Sequence, residues 1–171
     1  KERHFLLLLY GRLTPSQGWL TFALLIATLM TVGQSVTVAR WAETPGLTSV
    51  MVWAALVALL LAKSPLPVVL SHMFSLALGA AIVIWKAASL IEAVPFSIQL
   101  ELLWSRLTIW HDAATSGGIS TDLLPVTLTF LFAGWITGHI SSWYTFRSNN
   151  VWIGILVMGM AILTNLSFLP E

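Results

Sequence analysis

Cysteine is missing altogether. Its absence excludes disulfides, thiolate-bound metals, iron–sulfur clusters and cysteine nucleophiles, and it leaves the redox compartment unreadable. Charge is scarce: 9% of the residues are Asp, Glu, Lys or Arg, where a soluble domain carries roughly a quarter. Neither sign dominates, since eight basic and seven acidic residues give a formal net charge of +1. Spread along the chain, they form no basic stripe able to neutralise a phosphate backbone, so nucleic acid is not an expected partner. What fills the sequence is apolar: 57% of its 171 residues are hydrophobic and the mean hydropathy is +0.87. Most of such a surface faces something other than water, and the chain reads as an integral membrane protein whose first partner is the lipid bilayer. Lys1 in place of Met, and an end at Pro170 and Glu171 straight after an apolar run, lead us to expect a segment of a longer polypeptide.

A bilayer core of about 30 Å asks for about 20 apolar residues per helix. Five stretches fit. The first runs from about Trp19 to Ala39, opened by Thr14, Pro15, Ser16, Gln17 and Gly18, with Pro just inside a helix start. The second, about Leu47 to Ala62, is short and lies between Pro45 and Gly46 on one side and Lys63, Ser64 and Pro65 on the other. Those breakers demand a tight turn into the third, about Leu66 to Leu90, which is long enough to tilt or to leave the membrane at its Lys86 end. The fourth runs from about Leu123 to Trp143 and the fifth from about Val151 to Leu169, joined by the polar Tyr144 to Asn150.

Before the first span, Phe5 to Tyr10 is too short an apolar core for a cleavable signal and is followed by no small-residue cleavage site; it reads as a segment lying on the membrane surface. With the N-terminus inside, Lys1, Arg3, Arg12, Lys63 and Arg147 are cytoplasmic, against Arg40, Lys86 and Arg106 outside. That bias sets the expected orientation, and five crossings then put the C-terminus outside. Trp41, Trp53, Trp143 and Trp152 fall near span ends, where an amphipathic indole anchors at the interface.

Ile91 to Asp122 is the one long connection. Within it Leu100, Leu103, Trp104, Leu107 and Trp110 recur at helical spacing, while Gln99, Glu101, Ser105, Arg106 and Asp112 fall mostly elsewhere. The spacing predicts an amphipathic helix over about Phe96 to His111, ended by Gly117 and Gly118. Its apolar face, with Leu103, Trp104, Leu107 and Trp110 as interface residues, sinks into the headgroup boundary or covers the bundle. Its polar face meets water or another domain. Asp122 precedes the fourth span and can cap its exposed amides.

A histidine inside a span is a functional candidate by default. His72 and His139 sit at a shared depth in the antiparallel third and fourth spans. Two imidazoles facing one another there could ligate haem iron or bacteriochlorophyll magnesium. Equally, Ser71, Ser75, Thr137 and Ser141 offer them hydrogen-bond partners, and that reading needs no cofactor. No cofactor or metal is therefore expected, with His72 and His139 the candidates should one bind. Gly134 and Gly138 form a GxxxG spacing, read as an interface where helices approach closely. Lys86 reads as snorkelling to the outer headgroups, and Gln34 and Asn165 as interhelical or interfacial hydrogen-bonders. No Asp or Glu stands in the middle of any span, which counts against an ion-coupled pump or transporter. Ser116 and Ser120 with His111 and Asp112 supply the residue types of a serine triad, but a helix and a glycine break leave their geometry arbitrary. No catalytic residue is expected.

The stretch Arg106, Leu107, Trp110, Ala113, Gly117 to Leu123 resembles a motif of bacterial transglutaminase-like membrane proteins. Leu13, Thr14, Pro15 and Gly18 to Thr21 resemble the start of that family's first span, and Thr164, Asn165 and Leu166 through Pro170 the end of its last. The resemblance implies about five or six membrane helices leading into an extracytoplasmic cysteine hydrolase domain, in the bacterial inner membrane. The family's catalytic Cys, His and Asp belong to that external domain, and none carries over to a chain without cysteine. The expected fold is an all-α polytopic helix bundle of five transmembrane helices plus an outer amphipathic helix, forming one domain. Two functions are expected to compete. One is the anchoring scaffold of a transglutaminase-like protein, with its external domain as partner. The other is an accessory subunit that contacts lipid or pigment among neighbouring membrane subunits.

Overall fold

The computed structural model describes residues 17–91 and 94–167. The expected surface segment at Phe5 to Tyr10, and Glu92, lie outside them. Among the described residues the chain is all-helical: α1 Gly18–Ala39, α2 Leu47–Lys63, α3 Val68–Ala88, α4 Phe96–Thr115, α5 Leu124–Arg147 and α6 Val151–Ser167. Three of these, α1, α3 and α5, are long and apolar enough to cross a membrane; α2 and α6 are apolar but shorter.

Proline sets several helix starts, and α3 begins at Val68 rather than at the expected Leu66. Pro67 and Pro95, both with extended backbone, stand immediately before α3 and α4, and Pro125 lies in the first turn of α5. Gly117 is left-handed, and the Gly118 N–H donates to the Ala113 carbonyl, so a Schellman turn ends α4. That end comes four residues beyond the expected His111. Helix α5 likewise continues past Trp143 to Arg147, through residues expected to connect the spans. Trp143, Thr145 and Phe146 are buried there, and the Thr145 hydroxyl donates to the Ser141 carbonyl. Packing thus outweighs the polar look of the segment. Left-handed Asn149 ends α5, and the Asn150 side chain accepts the Trp152 N–H to start α6.

Helix α5 is central and touches every other helix of the bundle. Its Gly134 and Gly138 face α2: a β-carbon on Gly138 would stand 2.4 Å from the Met51 carbonyl oxygen, and one on Gly134 would meet Leu47. Gly33 brings α1 onto Thr48 of α2, and Gly154 brings α6 so near Ser141 that a β-carbon on it would stand 3.2 Å from the Ser141 Cα. The five helices other than α4 run up and down. Arg147 donates to the carbonyls of Ala62 and Ser64, and Gln17 to Asn149, so both tight turns and the start of α1 share one end. At the other end Thr127 donates to the Glu43 carbonyl, Trp41 to Asn165, and the Lys86 Nζ lies against Gly46. Outward faces carry Leu20, Leu24, Val69, Phe74, Leu156 and Leu163 exposed, an apolar exterior that water would not favour.

Helix α4 lies apart, against the ends of α3 and α5. Leu103 is buried and Leu107 packs on the core, whereas Trp104 is 68% exposed. Trp110 and Ile109 are exposed as well. The helix is tethered by Arg106, whose Nε and Nη2 reach the two carboxylate oxygens of Asp122 at 2.8 and 2.6 Å. Asp122 also accepts the Leu124 N–H at 2.9 Å, capping α5. The guanidinium hydrogen bonds hold its carboxyl below the usual aspartate range.

Candidate functional site

Ser71, Ser75, Gly79 and Val83 recur every four residues along α3 and are all buried. This narrow stripe lets α5 lay a large ring across it. A β-carbon on Gly79 would stand 2.4 Å from Nε1 of Trp135, so the indole occupies the place of a side chain. One turn on from Trp135 along α5 comes His139, and one turn further Trp143.

These residues join in a single hydrogen-bonded chain. Trp135 Nε1 donates to Ser75 Oγ at 3.3 Å, Ser75 Oγ pairs with His139 Nδ1 at 2.8 Å, and His139 Nε2 pairs with His72 Nδ1 at 2.9 Å. An indole can only donate. The direction that leaves no hydrogen stranded therefore runs from Trp135 to Ser75 to His139 to His72, with each imidazole carrying its proton on Nε2. That tautomer is assigned from the network. Trp143 closes the group, stacked on His139 with ring centroids 5.9 Å apart and lying 4.6 Å from His72. Expected as an interfacial anchor, Trp143 is instead only 3% exposed, and the Arg147 guanidinium sits 5.7 Å over its ring. Trp53 and Trp152 are exposed, and Trp41 is half-buried on Asn165.

The histidines do meet, but in contact with one another. In a tetrahedral site metal–nitrogen bonds of about 2.0 Å set two ligand nitrogens about 3.3 Å apart, and a metal or macrocycle held between facing rings needs about 4 Å. At 2.9 Å, with His139 Nδ1 already engaged by Ser75, the pair as arranged is a hydrogen bond. Among the described residues no three His, Asp or Glu converge to hold a metal. Ser75, His139 and His72 also have the spacing of nucleophile, base and orienting group. Ser75 is only 1% exposed, however, and its oxygen already accepts the indole N–H of wholly buried Trp135. At that burial the hydroxyl presents almost no surface to a reacting atom.

Other sequence candidates remain apart. Ser116 Oγ donates to the Ala113 carbonyl and Ser120 Oγ accepts the Asp122 N–H, while Asp122 serves Arg106. Lys86 lies 5.1 Å over the Trp85 ring.

No protein-family model, curated protein or solved structure matches this chain.

Two features lay beyond the sequence reading. The seat of Trp135 on Gly79 was signalled only by the four-residue stripe of small residues on α3. The second is a cavity of about 440 Å³ bounded by α1, α2, α5 and α6, with Asn165 in its wall. Asn165 accepts from Trp41 Nε1 at 2.9 Å and donates to the Ser35 carbonyl at 3.2 Å, pinning three segments together.

Proposed function

We propose that this chain is the membrane-anchoring and scaffold region of a protein resembling the bacterial transglutaminase-like membrane proteins, whose cysteine hydrolase domain stands outside the inner membrane. The observation that supports it most is how the bundle spends its polar groups. The Trp135 to His72 chain joins α5 to α3, Asn165 joins α6 to α1, and Arg147 joins α5 to α2. Each contact fixes helix on helix, which is what a scaffold requires and a substrate site does not.

In this reading all five bundle helices cross the bilayer. Helices α2 and α6 have 17 residues each, about 25 Å at 1.5 Å per residue, which is at the short limit for a span. Their alternation with α1, α3 and α5 supports counting them. Lys63 and Arg147 mark the cytoplasmic end; Arg40, Lys86 and α4 lie outside, and α6 leads outward. Helix α4 then rests in the outer interface, its exposed Trp104 and Ile109 available to headgroups or to the external domain. A second reading, an accessory lipid- or pigment-contacting subunit, is favoured by the cavity beside Asn165.

Single substitutions Ser64→Cys, Ser116→Cys and Ser148→Cys in this cysteine-free chain test the topology. An impermeant outside reagent is expected to label only the Ser116→Cys protein; labelling of either of the others overturns the orientation. The mass of the native polypeptide separates the two functions. Several-fold above 18.7 kDa supports the anchor, and a mass near that value supports the accessory subunit.

A further inference from the structure

The cavity between α1, α2, α5 and α6 is a consequence of how α5 and α6 pack. Gly154 holds them in close contact beside Ser141, whereas toward the Asn165 end the space between them is lined by the short side chains Ala133 and Ala161, with Gly134 turned to α2. A space of about 440 Å³ is left, walled otherwise by Val36 and Met51. Ala133 and Thr164 at its rim are exposed, so it opens sideways between α5 and α6. A second, shallower cleft of about 680 Å³ follows α1 past Gln34 and Val38 to Leu166. The two share one lining residue, Asn165.

We infer that the two clefts take the two acyl chains of one glycerophospholipid, forked at Asn165, with an ester carbonyl accepting from its amide. The inference rests on the membrane-spanning reading. Protein interiors leave few voids larger than a water molecule, and water entering so apolar a space would lack the two to four polar partners it needs. Hydrocarbon is the solvent at the rim and has the right chemistry. Asn165 supplies the polar point: of its two amide hydrogens one goes to the Ser35 carbonyl, and its Oδ1 is spent on Trp41. The other hydrogen is left for an acceptor. Asn165 lies near the end of α6, bonded to Trp41, and in the spanning reading that end belongs to the outer leaflet, whose ester groups flank the hydrocarbon core. A two-chained lipid matches two clefts meeting at one donor; a single-chained one matches only half.

The test uses the whole chain in phosphatidylcholine vesicles with a trace of phosphatidylcholine carrying a diazirine midway along its acyl chains, followed by irradiation and peptide mapping. Adducts are expected at both clefts, at Val36 or Ala161 in one and Gln34 or Val38 in the other, above the level at the outward-facing Leu20 and Leu156. Ala161→Phe and, separately, Ala133→Phe should reduce adducts in the first cleft about tenfold, because the space is filled. Asn165→Leu should reduce both about fivefold, the loss of roughly one hydrogen bond. Adducts spread evenly over all exposed apolar positions, unchanged by any variant, overturn the inference, as do equal adducts from a free diazirine fatty acid. Absence of adducts at Leu20 and Leu156 as well overturns the spanning reading instead.

Discussion

The indole nitrogen of Trp135 lies 3.3 Å from the Ser75 hydroxyl, and the same ring fills the space a β-carbon on Gly79 would need. Ring and glycine are a matched pair. Gly79→Ala puts a methyl within 2.4 to 2.7 Å of three indole atoms, and a wholly buried ring has no room to retreat. The expected loss is about 1 to 3 kcal/mol, the usual cost of overpacking. The double variant Gly79→Ala with Trp135→Phe should recover part of it, since the smaller ring withdraws the clashing edge. Thermal midpoints in detergent for the two single variants and the double variant measure this; simple additivity would show that the two residues do not share the space.

The histidine pair is expected to act as a structural link of modest strength. Removing His139 strands both the Ser75 hydroxyl and the facing nitrogen of His72, while removing His72 strands only one nitrogen of His139. His139→Ala should therefore destabilise more than His72→Ala, with losses of about 1 to 3 kcal/mol. A double-mutant cycle should give a coupling of roughly 0.6 to 1.7 kcal/mol, the range for hydrogen bonds between membrane helices. The purified protein should show neither a haem Soret band nor a bacteriochlorophyll band. A band that vanishes in either variant would mean that the rings separate to bind a cofactor.

Much of this architecture could be read from residues, and the reasons are local. Gly46 and the Gly117–Gly118 pair bound helices because backbone sterics act within a few positions, whereas Pro67, inside the expected third span, moves the start of α3 to Val68. Leu103 and Leu107, which recur at helical spacing, lie on the side of α4 that packs on the bundle. The spacing could not separate them from Trp104, because an apolar face against lipid and one against protein have the same pattern. Ser75 stood among several hydroxyls within reach of the histidines by sequence spacing. Choosing it over Ser71 and Ser141, whose hydroxyls have no hydrogen-bond partner, needed the rotation of α3 against α5. The burial of Trp143 was hidden for the same reason: nearness to a span end says nothing about which way a ring faces.

Acid should loosen the hold on α4. Asp122 has its carboxyl pKa lowered in the folded protein, first by the Arg106 hydrogen bonds, with the Leu124 N–H adding to the effect. A lowered folded-state value means that the stabilisation is complete above the ordinary aspartate value of 3.8 and disappears as pH falls below it through the folded-state value. Both partners are partly exposed, with 44% of the Arg106 side chain accessible, so the effect is at most about 1 kcal/mol. Proteolysis or hydrogen exchange in α4 should rise over that acid window in the natural protein and much less in Asp122→Asn. Equal pH dependence in the two would show that the ion pair does not hold the helix.

Two neighbouring residues on α4 should separate bundle contact from surface contact. Leu103 is 5% exposed, and Leu103→Asp buries an unpartnered charge in place of a side chain whose burial is worth roughly 2 to 3 kcal/mol. It should lower the thermal midpoint in detergent. Trp104→Asp should leave that midpoint nearly unchanged, since the ring is directed away from the bundle. In vesicles it should instead weaken the seating of α4, read as increased quenching of the remaining tryptophans by an aqueous quencher. Equal midpoint losses for the two variants would mean that Trp104 is covered by protein.

Ser75 supplies the last test, because it bears on whether these helices do chemistry of their own. Its distance to His139, and that of His139 to His72, satisfy the hydrogen-bond geometry of an activated nucleophile. Two features oppose the role. One of the two hydroxyl lone pairs is engaged by the Trp135 N–H, and the hydroxyl is 1% exposed in the interface between α3 and α5. A fluorophosphonate probe should therefore leave Ser75 unmodified in the folded protein, and residues 1–171 alone should turn over neither glutamine amides nor peptide amides. If the anchor reading holds, a longer native polypeptide assayed beside them should show a thiol-dependent activity that residues 1–171 lack. Thiol-insensitive turnover by residues 1–171, abolished by Ser75→Ala but not by Ser71→Ala, would place an active site in the α3–α5 interface and overturn the scaffold reading.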